Sequence, residues 1–342
     1  MTKKVENTLY VTKNEAYVRK KQDIIIVEVE NDEALRIPGH HLGNIVLFDR
    51  ASISHKALAW CGDNDVSVSR LDRNGNFIGR WVGPQSGNVN LRLDQFRIYR
   101  DDFSKVCSIS SNMVRGKLFN SRAMLLRSAR DSEGDIEKNL RSAADRIENM
   151  MIKTEDCEKL DKIRGFEGRG AKIYFSRIND MMKADNLKFK GRKKRPPKDE
   201  VNAMFSYLYV LLLNDCNSAL ESIGLDPQIG FLHAVRPGKP ALALDLMEEL
   251  RPIMAERVAL TLINRQQVRP DDFQEKPGGA ILMKEDCRKL LIKSYQDKKH
   301  EEIYHPVFDR KVSYGLIPYL QARLLARFLR GDIEEYTPFL YK

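Results

Sequence analysis

The chain has 342 residues, 42% of them hydrophobic and 13 of them proline, enough apolar material for two domains or one large one, which excludes a disordered chain. A formal charge of +10 and a pI of about 9.2 favour a polyanionic partner over an acidic protein surface. Five cysteines (Cys61, Cys107, Cys157, Cys216, Cys287) form no CxxC pair, Met1-Thr-Lys-Lys leads into no apolar leader, and the longest apolar run is only Tyr207–Leu213, so a disulfide framework, a structural zinc site and a membrane span are excluded and a cytoplasmic protein is expected.

In chain order, the first ninety residues read as strands. Leu9–Thr12, Ala16–Arg19, Asp23–Glu30, Leu35–Ile37 and Asn44–Phe48 are short β-branched or aromatic runs bounded by polar turns. Ile53–Cys61 reads as one short helix capped by Ser52 or Ser54. Val66–Leu71 and Phe77–Val82 flank an Asn74-Gly75 hairpin signal, and Trp60 and Trp81 read as core. Pro38-Gly39-His40-His41 is better explained as a turn than as a metal site. The expected architecture for this part is a small sandwich or barrel-like sheet domain.

From about Leu91 the period changes to 3.6. Leu91–Lys105, Ile109–Arg130 and Ile136–Lys153 read as helices. Asp199 can cap a helix to Ile223, with Val201, Met204, Phe205, Leu208, Leu211 and Leu212 on one stripe. Leu244–Gln266 is a further helix, with Pro252 imposing a kink near Glu248, and Leu316–Leu329 is another. The fold class is therefore α+β: a β-rich domain over 1–90, then a larger, all-α domain over 91–342. No solenoid repeat and no GxxxxGK[ST] loop is present.

The charge excess is local. Asp161–Glu200 holds 13 Lys/Arg against six Asp/Glu, so +7 of the total +10 lies there. Its densest part, Lys188–Lys198, contains Arg192-Lys-Lys-Arg-Pro-Pro-Lys198, a loop by its Pro-Pro, suited to phosphate contact or simply solvated. Candidate contacts to a nucleic-acid backbone are Arg164, Arg169, Lys190, Arg192, Lys193, Lys194, Arg195, Arg236 and Lys239.

Three segments around this run carry metal-binding chemistry. Ile163-Arg-Gly-Phe-Glu-Gly-Arg-Gly-Ala171 places Glu167 in a glycine-rich turn that could equally start a helix, and there backbone can approach a phosphate. Gly230-Phe-Leu-His233 supplies an imidazole. Asp245 and Glu248, three residues apart, share a helix face and repel unless a cation, a proton or an arginine offsets them. An isolated DxxE pair is more often a solvated acidic face, Arg251 offers Glu248 a purely structural ion pair, and a lone histidine is more often a satisfied core residue. The apolar surroundings Leu242, Leu244, Leu246 and Met247 argue against an ordinary surface. Oxygen, nitrogen and oxygen ligands beside a basic run suit a divalent ion working on a phosphodiester.

These strings resemble the CRISPR-associated integrase of spacer acquisition, the larger protein of the adaptation pair. The likeness spans most of the chain and rests on Lys117-Leu-Phe-Asn120, Arg164-Gly-Phe-Glu-Gly168, Arg195-Pro-Pro-Lys-Asp-Glu-Val-Asn202, Gly230–His233 and Leu242-Ala-Leu-Asp-Leu-Met-Glu-Glu-Leu-Arg-Pro252. Gly170 stands where the family usually has alanine and Glu200 where proline is common; neither removes a ligand. The resemblance implies that Glu167, His233 and Glu248 hold Mn²⁺ or Mg²⁺, with Asp245 a catalytic acid beside them. It further implies joining of 3′-hydroxyl ends of short double-stranded DNA to the repeat array by transesterification, dimerisation through the β-rich part, and a small ferredoxin-like adaptation nuclease as partner. The alternatives are a metal-dependent nuclease of branched or single-stranded DNA and a DNA-binding scaffold without chemistry.

Overall fold

A computed structural model describes residues 7–72, 77–84, 89–155, 157–193 and 196–341. The β-rich part comprises β1 (Asn7–Val11), β2 (Tyr17–Lys21), β3 (Ile24–Val29), β4 (Asp32–Pro38), β5 (Leu42–Phe48), β6 (Ser52–Ile53), α1 (His55–Asp63), β7 (Ser67–Leu71) and β8 (Phe77–Trp81). They form two four-stranded sheets, ordered β1-β5-β7-β8 and β4-β3-β2-β6. The first is parallel except for the β7–β8 pair; the second is antiparallel except for β2–β6. The Asn74-Gly75 signal lies outside the described residues, but the antiparallel pairing it implied is present. Ser54 is the cap of α1, accepting from Ala57 N. Trp81 is 46% exposed rather than core, since β8 is the edge strand of its sheet among the described residues.

The period of two explains how this part joins the rest. Along β5, Ile45 and Leu47 point into a core shared with Val18, Ile25 and Val27 of the other sheet, while Val46 and Phe48 point into the helical core. Both faces of β5 are thus apolar, as expected of a central parallel strand. On β7, Ser67 and Ser69 face the helices and are satisfied there: Ser69 Oγ donates to Asn214 Oδ1 at 2.7 Å, and Ser67 Oγ lies 3.0 Å from Ser218 Oγ.

The helical part begins with α2 (Val89–Asp101), α3 (Phe103–Arg130), α4 (Gly134–Glu155), α5 (Leu160–Phe175) and the single turn α6 (Ile178–Met181). Asp102 divides α2 from α3, its side chain accepting from Lys105 N, so the expected break near residue 106 comes four residues earlier. After α7 (Glu200–Ile223), capped by Asp199 as expected, come α8 (Ala241–Leu250), a π-helical turn (Arg251–Glu256) and α9 (Arg257–Asn264). The kink expected from Pro252 is that π turn. A proline at 252 cannot donate to Glu248 O, and widening the helix absorbs the missing bond. The small β-rich part followed by a larger helical one is as expected, but the second part is not helix throughout. It carries two hairpins, β9 (Phe273–Lys276) with β10 (Ala280–Met283), and β11 (Glu302–His305) with β12 (Arg310–Ser313), separated by α10 (Glu285–His300). The last helix is α11 (Ile317–Leu329).

Two helices organise the core: α3 packs against α4, α5 and α8, and α7 against α8, the π turn and α11. The chain beyond α11 returns over them, burying Tyr336 and Phe339 completely. Among the described residues no helix is long and apolar enough to cross a membrane.

Candidate active site

Asp245 organises the site from the middle of α8. Its carboxylate is fully buried and accepts Phe231 N at 2.6 Å, Leu232 N at 2.9 Å and His233 N at 2.8 Å, so residues 231–233 wrap around one side chain. Gly230 is required for this: a Cβ there would stand 2.6 Å from Ala241 C and 2.8 Å from Asp245 Oδ2. The same carboxylate holds His233 Nδ1 at 2.7 Å. Asp245 already accepts three backbone N–H groups, so Nδ1 is the donor in this contact and Nε2 is the ring nitrogen that faces away from Asp245. That Nε2 lies 3.9 Å from Glu248 Oε1.

Glu248, one turn further on, is buried between cations. Arg251 Nη1 lies 2.7 Å from its Oε1 and Lys117 Nζ 2.6 Å from its Oε2. Burial by itself would raise its pKa, but Arg251, then Lys117 and His233, outweigh it and hold the carboxyl well below the usual range. The pairing of Arg251 with Glu248 weighed from the sequence is therefore real, and the solvated acidic face is not, since Asp245 and Glu248 are both buried. The Arg251 guanidinium sits 4.3 Å from the Tyr209 ring centroid, with Arg192 at 5.1 Å from the same ring, and Tyr209 OH donates to Glu256.

Glu167 lies inside α5, not in a turn. Its glycines do not break the helix because tertiary packing overrides propensity: Gly165 and Gly168 are exposed, and at Gly170 a Cβ would collide with Leu118 Cδ2, so this glycine lets α5 close on α3. The approach delivers Glu167 to Lys117, whose ammonium donates to Glu167 Oε1 as well as pairing with Glu248. Lys117 was not singled out from the sequence as a site residue. Its signal is position: it falls on the buried stripe of α3 between Val114 and Ser121, where a lysine requires a partner.

The expected triad thus meets at one place. Glu167 and Glu248 touch one ammonium, and His233 turns its free nitrogen toward Glu248. Among the described residues no three His, Cys, Asp or Glu side chains stand as a ready metal cage, and Lys117 lies between the two carboxylates. The donors nonetheless fit a divalent ion. Two carboxylates and an imidazole oriented by a buried acid are what such an ion uses.

The candidate DNA contacts divide. Arg169, Lys190, Lys193 and Arg236 are exposed and Lys239 is half-buried. Lys194 and Arg195 lie outside the described residues. Arg192 is not a free surface cation: its guanidinium donates to Asn202 Oδ1 at 2.7 Å and Ser206 Oγ at 3.3 Å, and burial lowers its pKa. Arg164 Nε donates to Leu232 O at 2.7 Å and so clamps the His233 segment.

The family model described as CRISPR associated protein Cas1 matches residues 9–297. A CRISPR-associated endonuclease Cas1 of Moorella thermoacetica is 45% identical over 339 residues, 98% of each chain, and one of Rhodospirillum rubrum is 40% identical over 349 residues, 99% of this chain and all of that one. Among solved structures, a CAS1 protein from Thermotoga maritima superposes with a TM-score of 0.81 at 21% identity, covering 97% of this chain and 98% of that one. A casposase bound to integration product gives 0.81 at 20% identity, covering 98% and 94%. At these identities the two structures speak to fold.

Proposed function

This chain belongs to the CRISPR-associated Cas1 family, and on that premise we propose that it is a metal-dependent DNA integrase and endonuclease of CRISPR adaptation. In this reading it joins the 3′-hydroxyl ends of short foreign duplexes to the repeat array: the hydroxyl oxygen forms a bond to a phosphorus of the array, and the bond from that phosphorus to its former 3′ oxygen breaks. The observation that carries the reading is the meeting of Glu167 and Glu248 on one cationic position with His233 Nε2 beside it.

Glu167, His233 and Glu248 would hold Mn²⁺ or Mg²⁺, the imidazole suiting Mn²⁺ better. Once bound, such an ion supplies Lewis acidity at the phosphoryl oxygens and offsets charge on the attacking and leaving oxygens. Asp245 keeps His233 in the tautomer whose Nε2 is free, and Arg164 holds the segment in place. Arg251 keeps Glu248 ionised throughout the physiological range. The exposed cations Arg169, Lys190, Lys193 and Arg236 would hold backbone phosphates without reading sequence.

Relatives of this fold support the wider assembly. One solved structure is a Cas6-RT-Cas1–Cas2 complex, matched with a TM-score of 0.81 at 21% identity over all of this chain and 36% of that one. By the same family premise this protein would act as a homodimer, joined through its β-rich part, with the small ferredoxin-like adaptation nuclease. The test mixes protein and partner with a 3′-hydroxyl duplex and a repeat-bearing plasmid in Mn²⁺ or Mg²⁺. Strand-transfer product is expected, and is lost with Glu167→Ala, His233→Ala or Glu248→Ala. Turnover that is indifferent to a blocked 3′ end would make the protein a nuclease instead; activity that survives all three substitutions would make it a scaffold.

A further inference from the structure

Among the described residues, Lys117 is the charged group at the centre of the site that this chemistry leaves without a task. Its residue is 5% exposed, it projects from the long helix α3, and its ammonium touches both Glu167 and Glu248. Two carboxylates drawn to one point repel each other, and the ammonium between them offsets that repulsion. Glu248 keeps a second partner on its other oxygen, the buried Arg251 at 2.7 Å, whose stacking on Tyr209 fixes it. Lys117 has no such anchor: its four-carbon stem is flexible and its ammonium is a point charge.

A divalent ion takes carboxylate oxygens at about 2.0–2.2 Å. The ammonium already stands 2.6 Å from Glu248 Oε2, so the two cations would compete for one oxygen and repel across a low-dielectric gap. Exposure decides which way the ammonium can move. The side chains of Glu167 and His233 are 26% and 29% exposed, against 5% for Glu248 and 7% for Arg251. The opening therefore lies on the Glu167–His233 side, where a DNA strand would arrive.

Resting on the metal reading above, we propose that Lys117 is an exchangeable internal cation of this site. It holds Glu167 and Glu248 together while no ion is bound, yields its place when one enters, and then offers its ammonium to a phosphate oxygen of the DNA. Lysine suits such an exchange because it carries a compact point charge on a flexible stem, where arginine presents a rigid planar fork.

The test uses the full chain without DNA, titrated calorimetrically with Mn²⁺ alone, as wild type, Lys117→Met and Lys117→Gln. With the competing charge removed, both variants are expected to bind Mn²⁺ about tenfold or more tightly than wild type. They are also expected to melt at lower temperature without ion and to recover most of the loss in saturating Mn²⁺, which keeps the test open if Lys117→Met folds poorly. At saturating Mn²⁺ their strand-transfer rate should fall, so ion affinity and turnover move in opposite directions. Affinity that is equal or weaker in the variants overturns the exchange, and an unchanged rate overturns the phosphate role. Failure of wild type and variants alike to take up Mn²⁺ removes the metal reading itself, and this proposal with it.

Discussion

Asp245 does more through hydrogen bonds than through charge. Its two oxygens take four donors, three backbone N–H groups and the His233 ring. Asp245→Asn must turn an NH₂ toward some of them, so it is expected to cost about 2–4 kcal/mol of stability by urea denaturation and to weaken Mn²⁺ binding by releasing His233; a variant with wild-type stability and ion affinity would contradict this role. The neighbouring Glu249 behaves oppositely to Glu248. Burial raises its pKa to about 7, only partly offset by bonds from Tyr336 OH, Phe339 N and Gln321 Nε2. Between about 4.5 and 7 the folded state then binds more protons than the unfolded one, so this group's contribution is lost as pH rises through that window, by on the order of 3 kcal/mol. Subtracting the pH–stability curve of Glu249→Gln from that of wild type should reveal a decline up to about pH 7 and a plateau beyond; a flat difference would refute it. From sequence, His233, Asp245 and Glu248 were legible because each sits in a short local string. Lys117 also sits in a quoted string, Lys117-Leu-Phe-Asn120, but its place in the site was not legible, since what marks it is the pair of carboxylates brought to it from α5 and α8.

At the scale of elements, the π turn after α8 is the feature on which the site's register depends. Pro252 removes the bond that would tie residue 252 to Glu248 O, and the helix widens at Arg251–Glu256. Pro252→Ala allows a regular helix, which would turn Arg251 and Glu256 relative to Glu248. The expected result is thermal stability equal to or above wild type, with a strand-transfer rate at least about tenfold lower, as follows when positioning is lost. Wild-type turnover in this variant would show that the widening is incidental. The sequence revealed the proline and a kink, but not its form, because π geometry depends on what the buried Arg251 and Glu256 find as partners. It also displayed α7 and α11 through their apolar stripes. It left α5 open between turn and helix, because its glycines argue for a turn until its packing on α3 is known. The hairpins β9–β10 and β11–β12 have strands of only four residues each, too short for a pattern of two to register.

Across the whole molecule, the two-faced sheet fixes the β-rich part to the helices. β5 contributes to two cores at once, and Ser67 and Ser69 are matched by polar residues of α7. The change of period near residue 91 was visible in the sequence; the pairing across it was not, since it joins residues more than 140 positions apart. The +7 cluster, also plain in the sequence, proves mixed in its use. Arg169→Ala, Lys190→Ala and Lys193→Ala together should lower DNA affinity about equally for unrelated sequences and flatten the salt dependence by roughly one in slope for each phosphate no longer neutralised. Arg192→Ala should instead lower stability, because it removes the bonds to Asn202 and Ser206 and the packing on Tyr209. A sequence-selective loss in the triple variant, or a purely electrostatic effect at Arg192, would contradict this division.

The convergence of α5, the 231–233 segment and α8 on one cation is tested most directly by anomalous diffraction from crystals soaked in Mn²⁺. The account requires a single peak bounded by the Glu167 carboxylate, His233 Nε2 and the Glu248 carboxylate. A peak elsewhere, with Lys117 still bridging the two glutamates, would contradict it.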